Sequence, residues 1–229
     1  MTPDNDLPVL VTYDWVPEFP RGFVRDLRVR WLFAELGQPY RVETVPIAPK
    51  SADHLAMQPF GQVPVVRSGG RTLFESGAIL LLLADGHPAL LPPDRRAEVT
   101  EWVFAALNSV EMFTLPWILL QAAVAAPQIF GPAAPHDVVQ RATKRMDARL
   151  TAMERVLTGR DWLDRDFTVA DIAMSDVLRL VADKGGLGGY PAVQAYVARA
   201  TARPGFVTAH AAQMAHWQAA DQARAAAVA

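Results

Sequence analysis

Residues 58–67 read Gln58-Pro-Phe-Gly-Gln-Val-Pro-Val-Val-Arg67, a β-branched run that Pro64 interrupts. Proline has no amide hydrogen to donate to a neighbouring strand, so it stands at a strand start, on an edge strand or in a special turn. Ser68-Gly-Gly-Arg71 follows and predicts a tight hairpin, because paired glycines adopt the positive φ that such turns need. The return strand is then predicted over Thr72-Leu-Phe74, which leads into a helical run.

The junction between this return strand and the helix carries two polar residues, Glu75 and Ser76. Serine favours the N-cap position, and the first helical turn exposes unpaired backbone N–H groups that suit a carboxylate. The carboxylate of Glu75 is suited to an ammonium group, so the pair matches the α-amino-acid end of a ligand. The alternative is that Ser76 only caps the helix and that Glu75 is a solvated strand end.

The spacing from the proline strand to this junction resembles the glutathione-binding half of the glutathione transferase family. In that family the proline is cis, the residue before it offers its backbone to the cysteinyl part of glutathione, and the Glu-Ser pair holds the γ-glutamyl group. The resemblance therefore implies that Gln62, Val63, Pro64, Glu75 and Ser76 bind glutathione. It extends over nearly the whole chain.

The order of elements in the first half agrees with this resemblance. A strand is predicted over Val9–Tyr13, a helix from Phe23, a second strand over Tyr40–Val45, and a short helical segment over Ile47–Met57. With the proline hairpin and its helix, residues 8–85 follow the order βαβ–α–ββ–α. We expect a thioredoxin-like α/β domain that binds glutathione.

The second half is predicted to be entirely helical. Residues 86–95 contain three prolines and one glycine and form the predicted linker, and residues 96–229 form an all-α helical-bundle domain. Pro116 is expected to kink or break the first long helix. Thr168 and Asp171 form a predicted capping box, which the family resemblance places in the core of the helical domain as a structural feature.

Composition restricts the classes of function. The 229 residues include 51% apolar and 20% charged residues with a net charge of −2, and no basic run is interleaved with aromatics, so nucleic acid is not expected as a partner. Met1–Leu7 does not have the pattern of a signal peptide, and the longest apolar stretch, Ala78–Ala84, is too short to span a membrane. We expect a soluble cytoplasmic protein that does not bind membranes.

The chain contains no cysteine, so it has no disulfide, no thiolate metal site and no cysteine nucleophile. Any thiol chemistry must use a thiol that the substrate brings. No metal site is expected, because the five histidines lack metal-ligand spacing with carboxylates, and they are interpreted as solvated or capping residues. They are His54, His87, His136, His210 and His216.

A transferase of this family must stabilise the thiolate of bound glutathione, and its members use a Tyr, Ser or Cys at the end of the first strand or the start of the first helix. The helix start at residues 23–26 has none of these. Tyr13 is the candidate hydroxyl donor, and Arg21 and Arg25 are candidate cations that favour the thiolate by charge. The alternatives are that Tyr13 is packed in the core and that both arginines are solvated.

Aromatic and apolar side chains from both halves are candidates for the pocket that takes the second substrate, with core packing as the alternative. They are Trp15, Phe19, Phe104, Met112, Phe113 and Trp117.

The resemblance implies an enzyme that conjugates the glutathione thiolate to a small hydrophobic electrophile, as in detoxification. It would be a homodimer and use no cofactor beyond glutathione as co-substrate. The missing hydroxyl at the helix start leaves two alternatives: a non-catalytic binding or interaction protein of this fold, and a glutathione-dependent isomerase or peroxidase.

Overall fold

A computed structural model describes residues 7–227, and the expectation about a signal peptide lies almost wholly outside this range. The described chain forms two compact units. The first unit joins the segment that ends at Asp85 to the segment that begins at Arg203, and the second unit is Gly86–Ala202. The sequence-based division assigned residues 96–229 to one helical domain, and the contacts move the last helix of that range to the first unit.

The strands are β1 (Val9–Tyr13), β2 (Arg41–Val45), β3 (Val65–Ser68) and β4 (Arg71–Phe74). The helices are α1 (Asp26–Glu35), α2 (Ala52–Met57), α3 (Ser76–Leu83), α4 (Arg96–Phe104), α5 (Met112–Ala125), α6 (Pro127–Phe130), α7 (His136–Leu157), α8 (Val169–Asp183), α9 (Pro191–Thr201) and α10 (Pro204–Ala226). A 3₁₀ turn, Pro93–Arg95, precedes α4, and a π-helical segment, Ala105–Glu111, joins α4 to α5.

The four strands form one sheet in the order β2-β1-β3-β4. β1 pairs in parallel with β2 and antiparallel with β3, and β3 pairs antiparallel with β4. The predicted βαβ unit and hairpin are confirmed, and this mixed sheet is thioredoxin-like as expected. Because side chains alternate along a strand, Leu10 joins a cluster with Val29 of α1, whereas Val9 and Val11 join a cluster on the other face.

Helix α1 begins at Asp26, three residues later than the sequence pattern predicted. The chain between β1 and α1 is held in turns instead, with Phe23 N donating to Pro20 O at 2.9 Å and Arg21 N donating to Glu18 O at 3.1 Å. Gly22 has a φ of +78°, a backbone conformation that residues with a Cβ seldom adopt and that a regular helix does not contain.

Helix α10 packs along α1 within the first unit. The rings of Trp31 and Phe206 meet edge to face at 4.9 Å, and Arg203 donates two hydrogen bonds to the carboxylate of Glu35 at 2.8 and 2.7 Å. Trp217 is fully buried although it lies fourteen positions along α10. These contacts join residues that are more than 160 positions apart in the sequence, and they are the physical reason that α10 belongs to the first unit.

The second unit contains helices and no strands in its described residues, as predicted. A continuous helical run over Pro93–Ala125 has the length and apolar composition of a membrane span, which the search for uninterrupted apolar residues missed. Core helices of soluble proteins meet the same two criteria, so one such helix is weak evidence for a membrane span, and 33% of its most apolar window is buried. Pro116 lies within α5, so of the predicted kink or break the break does not occur.

The capping box at the start of α8 is confirmed. The buried carboxylate of Asp171 accepts hydrogen bonds from the backbone N–H groups of Thr168 and Leu163 at 2.9 and 3.0 Å and from the Tyr196 hydroxyl at 2.9 Å. Burial is the main cause that raises the pKa of Asp171 and raises the pKa of Tyr196 well above its usual value. One side chain thus joins the start of α8 to α9 and to the preceding loop.

Replacing Asp171 with alanine is therefore expected to lower the free energy of unfolding by about 3 kcal/mol, because it leaves several buried donors without an acceptor. Thr168→Ala is the matched control, since it removes the capping hydroxyl and should cost only about 1 kcal/mol. Urea unfolding followed by circular dichroism measures both values. An Asp171→Ala cost no larger than that of Thr168→Ala would contradict this role for the carboxylate.

Candidate active site

The peptide bond between Val63 and Pro64 is cis, as the family resemblance implied, and Pro64 immediately precedes β3. Two side chains hold the backbone of Gln62 before this bend. Gln62 N donates to Gln58 Oε1 at 3.1 Å, and the Nε2 of buried His54 lies 3.0 Å from Gln62 O. The bend is thus fixed by His54 of α2 and by Gln58, the residue that follows α2. Val63 lies two positions before Val65, the first paired residue of β3.

Glu75 has a φ of 66° and a ψ of 115°, and it is the one non-glycine residue with positive φ in the described chain. Such a conformation costs about 1–3 kcal/mol, and strain of this kind concentrates at ligand-binding sites. Glu75 occupies the N-cap position of α3, and its carboxylate is exposed. The backbone N–H groups of the first turn of α3 therefore lie next to a free carboxylate.

Ser76 is the first residue of α3 and not its N-cap, so the sequence-based assignment was one position late. No side chain caps this helix, and the buried Ser76 hydroxyl instead accepts a hydrogen bond from Arg28 Nη1 at 3.1 Å. Arg28 lies on α1 and is 1% exposed. The structure thus places a buried guanidinium behind the serine, a positive charge at the candidate anion site that sequence reasoning missed.

Tyr13 ends β1 and is half-buried against the cluster that contains Val63 and Val65. Its hydroxyl oxygen accepts a hydrogen bond from Lys50 Nζ at 3.3 Å, and the same ammonium lies 4.6 Å from the ring centroid. The Tyr13 ring therefore packs against the core, as the alternative interpretation expected, whereas its hydroxyl lies beside the Lys50 ammonium.

Lys50 is a second residue that the sequence interpretation did not single out. Its side-chain carbons lie against Gly61, where an added Cβ would be 3.1–3.3 Å from them, and Gly61 has a φ of +61°. Lys50 therefore connects the Tyr13 hydroxyl to the loop that leads into the cis bend. The only sequence signal was a lone lysine before the Ser51 cap of α2.

Arg21 is engaged by an acid on α10. Its Nη1 and Nη2 donate to Asp221 at 2.5 and 2.7 Å, and its Nε and Nη2 donate to Val16 O at 3.2 and 3.0 Å. The hydrogen bond from Arg21 is the main cause that lowers the pKa of Asp221 to about 2. A catalytic role for Arg21 stays a prediction, and its contacts assign it to holding the loop. Arg25 occupies the N-cap position of α1.

The predicted pocket residues fall into different environments. Trp15 donates from Nε1 to Asp221 at 2.8 Å, the Arg224 guanidinium lies 4.3 Å from its ring, and Phe19 is half-buried in the same loop. In the second unit Phe104 and Met112 are 55% and 64% exposed. Phe113 lies 4.1 Å from the guanidinium of Arg149, whereas Trp117 is a core residue packed against Gly186, so the packing alternative holds for Trp117.

The interpretation of the histidines as solvated or capping residues was wrong for His54 and His216. His54 is fully buried at the cis bend, and His216 Nε2 lies 2.9 Å from Tyr13 O. Neither contact has a local sequence signal, because each partner is a backbone carbonyl of another element.

Comparison with known proteins matches both halves of the chain to one family. Residues 20–85 match the glutathione S-transferase N-terminal domain, and residues 112–204 match the glutathione S-transferase C-terminal domain. A probable glutathione S-transferase, GSTF2 of Oryza sativa subsp. japonica, is 32% identical over 163 residues, which are 68% of this chain and 75% of that protein. The chain belongs to the glutathione S-transferase family.

Two further relatives support the assignment. Glutathione S-transferase 1 of Zea mays is 31% identical over 181 residues, which are 74% of this transferase and 83% of that protein. A solved glutathione S-transferase-I bound with lactoylglutathione superposes with a TM-score of 0.73 at 25% identity, covering 90% of this chain and 99% of that one. The protein is a glutathione transferase, and most of α10 lies beyond both domain matches.

The strained backbone at Glu75 predicts that glycine is more stable than alanine at this position, the reverse of their order inside a helix. Glu75→Gly should be more stable than Glu75→Ala by about 1 kcal/mol, because only glycine adopts this φ without steric cost. At Glu98, an exposed position in α4, the same pair should differ by about 1 kcal/mol in the opposite direction. Chemical denaturation of the four variants measures both differences, and the same sign at both positions would refute the strain at Glu75 of this transferase.

Proposed function

We propose that this transferase binds glutathione along the cis bend and the start of α3, and that the glutathione thiolate attacks a small hydrophobic electrophile. The observation that carries the proposal is the position of the Tyr13 hydroxyl and the Lys50 ammonium beside the loop that leads to the Val63–Pro64 bond. A hydroxyl donor, a cation and a backbone bend in one place suit the cysteinyl part of the tripeptide.

The γ-glutamyl end of glutathione is assigned to Glu75 and Ser76. Its carboxylate would accept hydrogen bonds from the first turn of α3 and from the Ser76 hydroxyl, which the Arg28 guanidinium polarises by donating to it. Its ammonium would pair with the exposed carboxylate of Glu75. The backbone of Val63 would pair with the cysteinyl residue, and Gln62 and Pro64 would hold Val63 in place.

Thiolate stabilisation is assigned to Tyr13. Because Lys50 donates to the Tyr13 oxygen, the hydroxyl hydrogen is available for the glutathione sulfur. A free thiol has a pKa of about 8.5, and a hydrogen bond to the charged form together with a nearby ammonium lowers it. The thiolate then forms a bond to the electrophilic carbon, and the leaving group departs with the electron pair of its broken bond.

The activity prediction separates binding from thiolate stabilisation. Ser76→Ala should weaken glutathione binding about tenfold, because it removes a hydrogen bond to a carboxylate. Tyr13→Phe should lower kcat/KM about a hundredfold with little change in glutathione affinity, because it removes a donor that acts on the developing charge at sulfur. Conjugation of a chlorodinitrobenzene-type acceptor measures turnover, and calorimetry measures glutathione binding.

Ser68→Ala in the hairpin is the matched control for the loss of a hydroxyl and should leave turnover and glutathione affinity unchanged. Unfolding of Ser76→Ala is measured in parallel, because Arg28 loses an acceptor. If Ser76→Ala binds glutathione as tightly as the wild type, the γ-glutamyl assignment is wrong. Glutathione binding without turnover of any acceptor would favour a non-catalytic binding protein. Reduction of hydroperoxides or isomerisation without conjugation would favour a glutathione-dependent peroxidase or isomerase.

We also propose that the protein is a homodimer. Phe60, beside the cis bend, is 70% exposed, and Phe74 of β4 and Leu82 of α3 are 38% and 39% exposed on the same unit. Exposed aromatic side chains of this size are typical of protein interfaces.

Light scattering is expected to give twice the chain mass for the wild type. Phe60→Glu should raise the dimer dissociation constant by about a hundredfold, because a central aromatic anchor contributes about 2–4 kcal/mol to association. Val207→Glu on α10, which is 55% exposed, is the control for the added charge and should stay dimeric. A monomeric wild type would exclude the homodimer, and a dimeric Phe60→Glu would exclude Phe60 as its anchor.

A cytoplasmic location and a role in detoxification complete the proposal. Reduced glutathione is the thiol pool of the cytosol, so an enzyme that consumes it as co-substrate is supplied there. Conjugation attaches two carboxylates and an ammonium to an apolar electrophile and so makes it water-soluble.

A further inference from the structure

Helix α10 contacts the strand end that carries the proposed catalytic hydroxyl. His216 Nε2 lies 2.9 Å from the backbone oxygen of Tyr13. A carbonyl oxygen only accepts hydrogen bonds, so this ring nitrogen carries the hydrogen and donates it. Asp14 N also donates to Val45 O at 2.9 Å, which holds the residue after Tyr13 against β2.

One turn further along α10, Asp221 anchors the loop that leaves β1. Its carboxylate accepts hydrogen bonds from Trp15 Nε1 at 2.8 Å and from both terminal nitrogens of Arg21. Arg21 in turn donates to the backbone oxygen of Val16, so one carboxylate fixes two side chains and, through Arg21, the main chain. The Arg224 guanidinium covers the ring of Trp15 at 4.3 Å.

The far end of the same loop is also held by α10. Gln213 Nε2 donates to Val24 O at 3.0 Å and to Asp26 Oδ1 at 2.5 Å, where α1 begins. Helix α10 thus contacts this loop at Tyr13, at Trp15 and Arg21, and at its junction with α1. Because the C-terminal domain match ends at residue 204, these contacts come from a helix that lies almost entirely beyond the two domain matches.

We propose that His216 and Asp221 are positioning residues for catalysis: through the backbone of Tyr13 and the loop behind it, they hold the Tyr13 hydroxyl within hydrogen-bond distance of the glutathione sulfur. The inference rests on the proposed function of Tyr13. A displacement of a hydroxyl by about 1 Å weakens its hydrogen bond steeply, and misplacement of this size can reduce a rate up to about a hundredfold. The residues assigned to the γ-glutamyl group are the N-cap and the first residue of α3, and they make none of these contacts with α10.

The test combines kinetics with a double-mutant cycle. Asp221→Asn and His216→Phe should each lower kcat/KM for conjugation roughly tenfold, with the KM for glutathione changed less than about twofold. The pH profile of kcat/KM should move to higher pH, because the bound thiol loses a well-placed donor. In the Tyr13→Phe background the same substitutions should have almost no further effect, since their action passes through the missing hydroxyl.

Two controls distinguish positioning from general stability. Asp221→Glu keeps the charge and should recover much of the activity. Asp137→Asn removes the same kind of exposed carboxylate, which pairs with Arg141 on α7 at 2.6 Å, and should leave the pH profile unchanged. A thermal unfolding scan accompanies every variant, and the ultraviolet absorbance of the bound thiolate is titrated with pH as a readout that needs no turnover.

Each outcome decides between the claims. If glutathione does not bind the wild type, both the proposed function and this inference are wrong. If glutathione binds and Tyr13→Phe raises the pKa of its thiol, but Asp221→Asn and His216→Phe leave that pKa unchanged, only the inference is overturned. Losses that are as large in the Tyr13→Phe background as in the wild type would also overturn it, because they would show an action that bypasses the hydroxyl.

Discussion

The antiparallel pairing of β1 with β3 is the constraint on which the site depends. Val11 pairs with Val65, and continuing this register by two residues places Tyr13 opposite Val63, at the cis bend. Because side chains alternate along a strand, a slip of one residue would turn Tyr13 to the opposite face of the sheet, away from the cluster that contains Val63. The hydrophobic valines that prevent this slip therefore also keep the Tyr13 hydroxyl on the face of the sheet where we propose that glutathione binds. Core packing and catalytic geometry are set by the same pairs of residues.

The candidate site in the first unit contains side chains of both charges. A buried guanidinium, Arg28, donates to Ser76 at the start of α3, and an exposed carboxylate, Glu75, adjoins it. Lys50 lies beside Tyr13, where we propose that the cysteinyl part binds. This order of charges matches a tripeptide that has a carboxylate and an ammonium at its γ-glutamyl end and an anionic sulfur in the middle. The strained backbone of Glu75 belongs to the same arrangement, because it turns the chain from β4 directly into α3.

Several features of the fold and site were predictable because their causes are local. A proline within a β-branched run stands at a strand start, on an edge strand or in a special turn, a glycine pair favours a tight turn, and a Thr-x-x-Asp sequence favours a helix start. Helix starts were less predictable, since α1 begins three residues late and Ser76 is inside α3 and not before it. In both cases backbone turns and a positive φ, which side-chain periodicity does not report, moved the boundary.

The amino-acid sequence by itself determined the family and the order of strands and helices along the first half of the chain, because motif spacing encodes them. The five residues proposed to bind glutathione came from the resemblance to that family. The tertiary structure decided which unit α10 joins, that Arg28 and Lys50 reach the site, and that Arg21 is bound by Asp221. The physical reason is sequence separation. Asp221 and Arg21 are 200 residues apart, and a salt bridge or a hydrogen bond to a backbone oxygen leaves no periodic pattern in either segment. Only the folded chain brings such partners together.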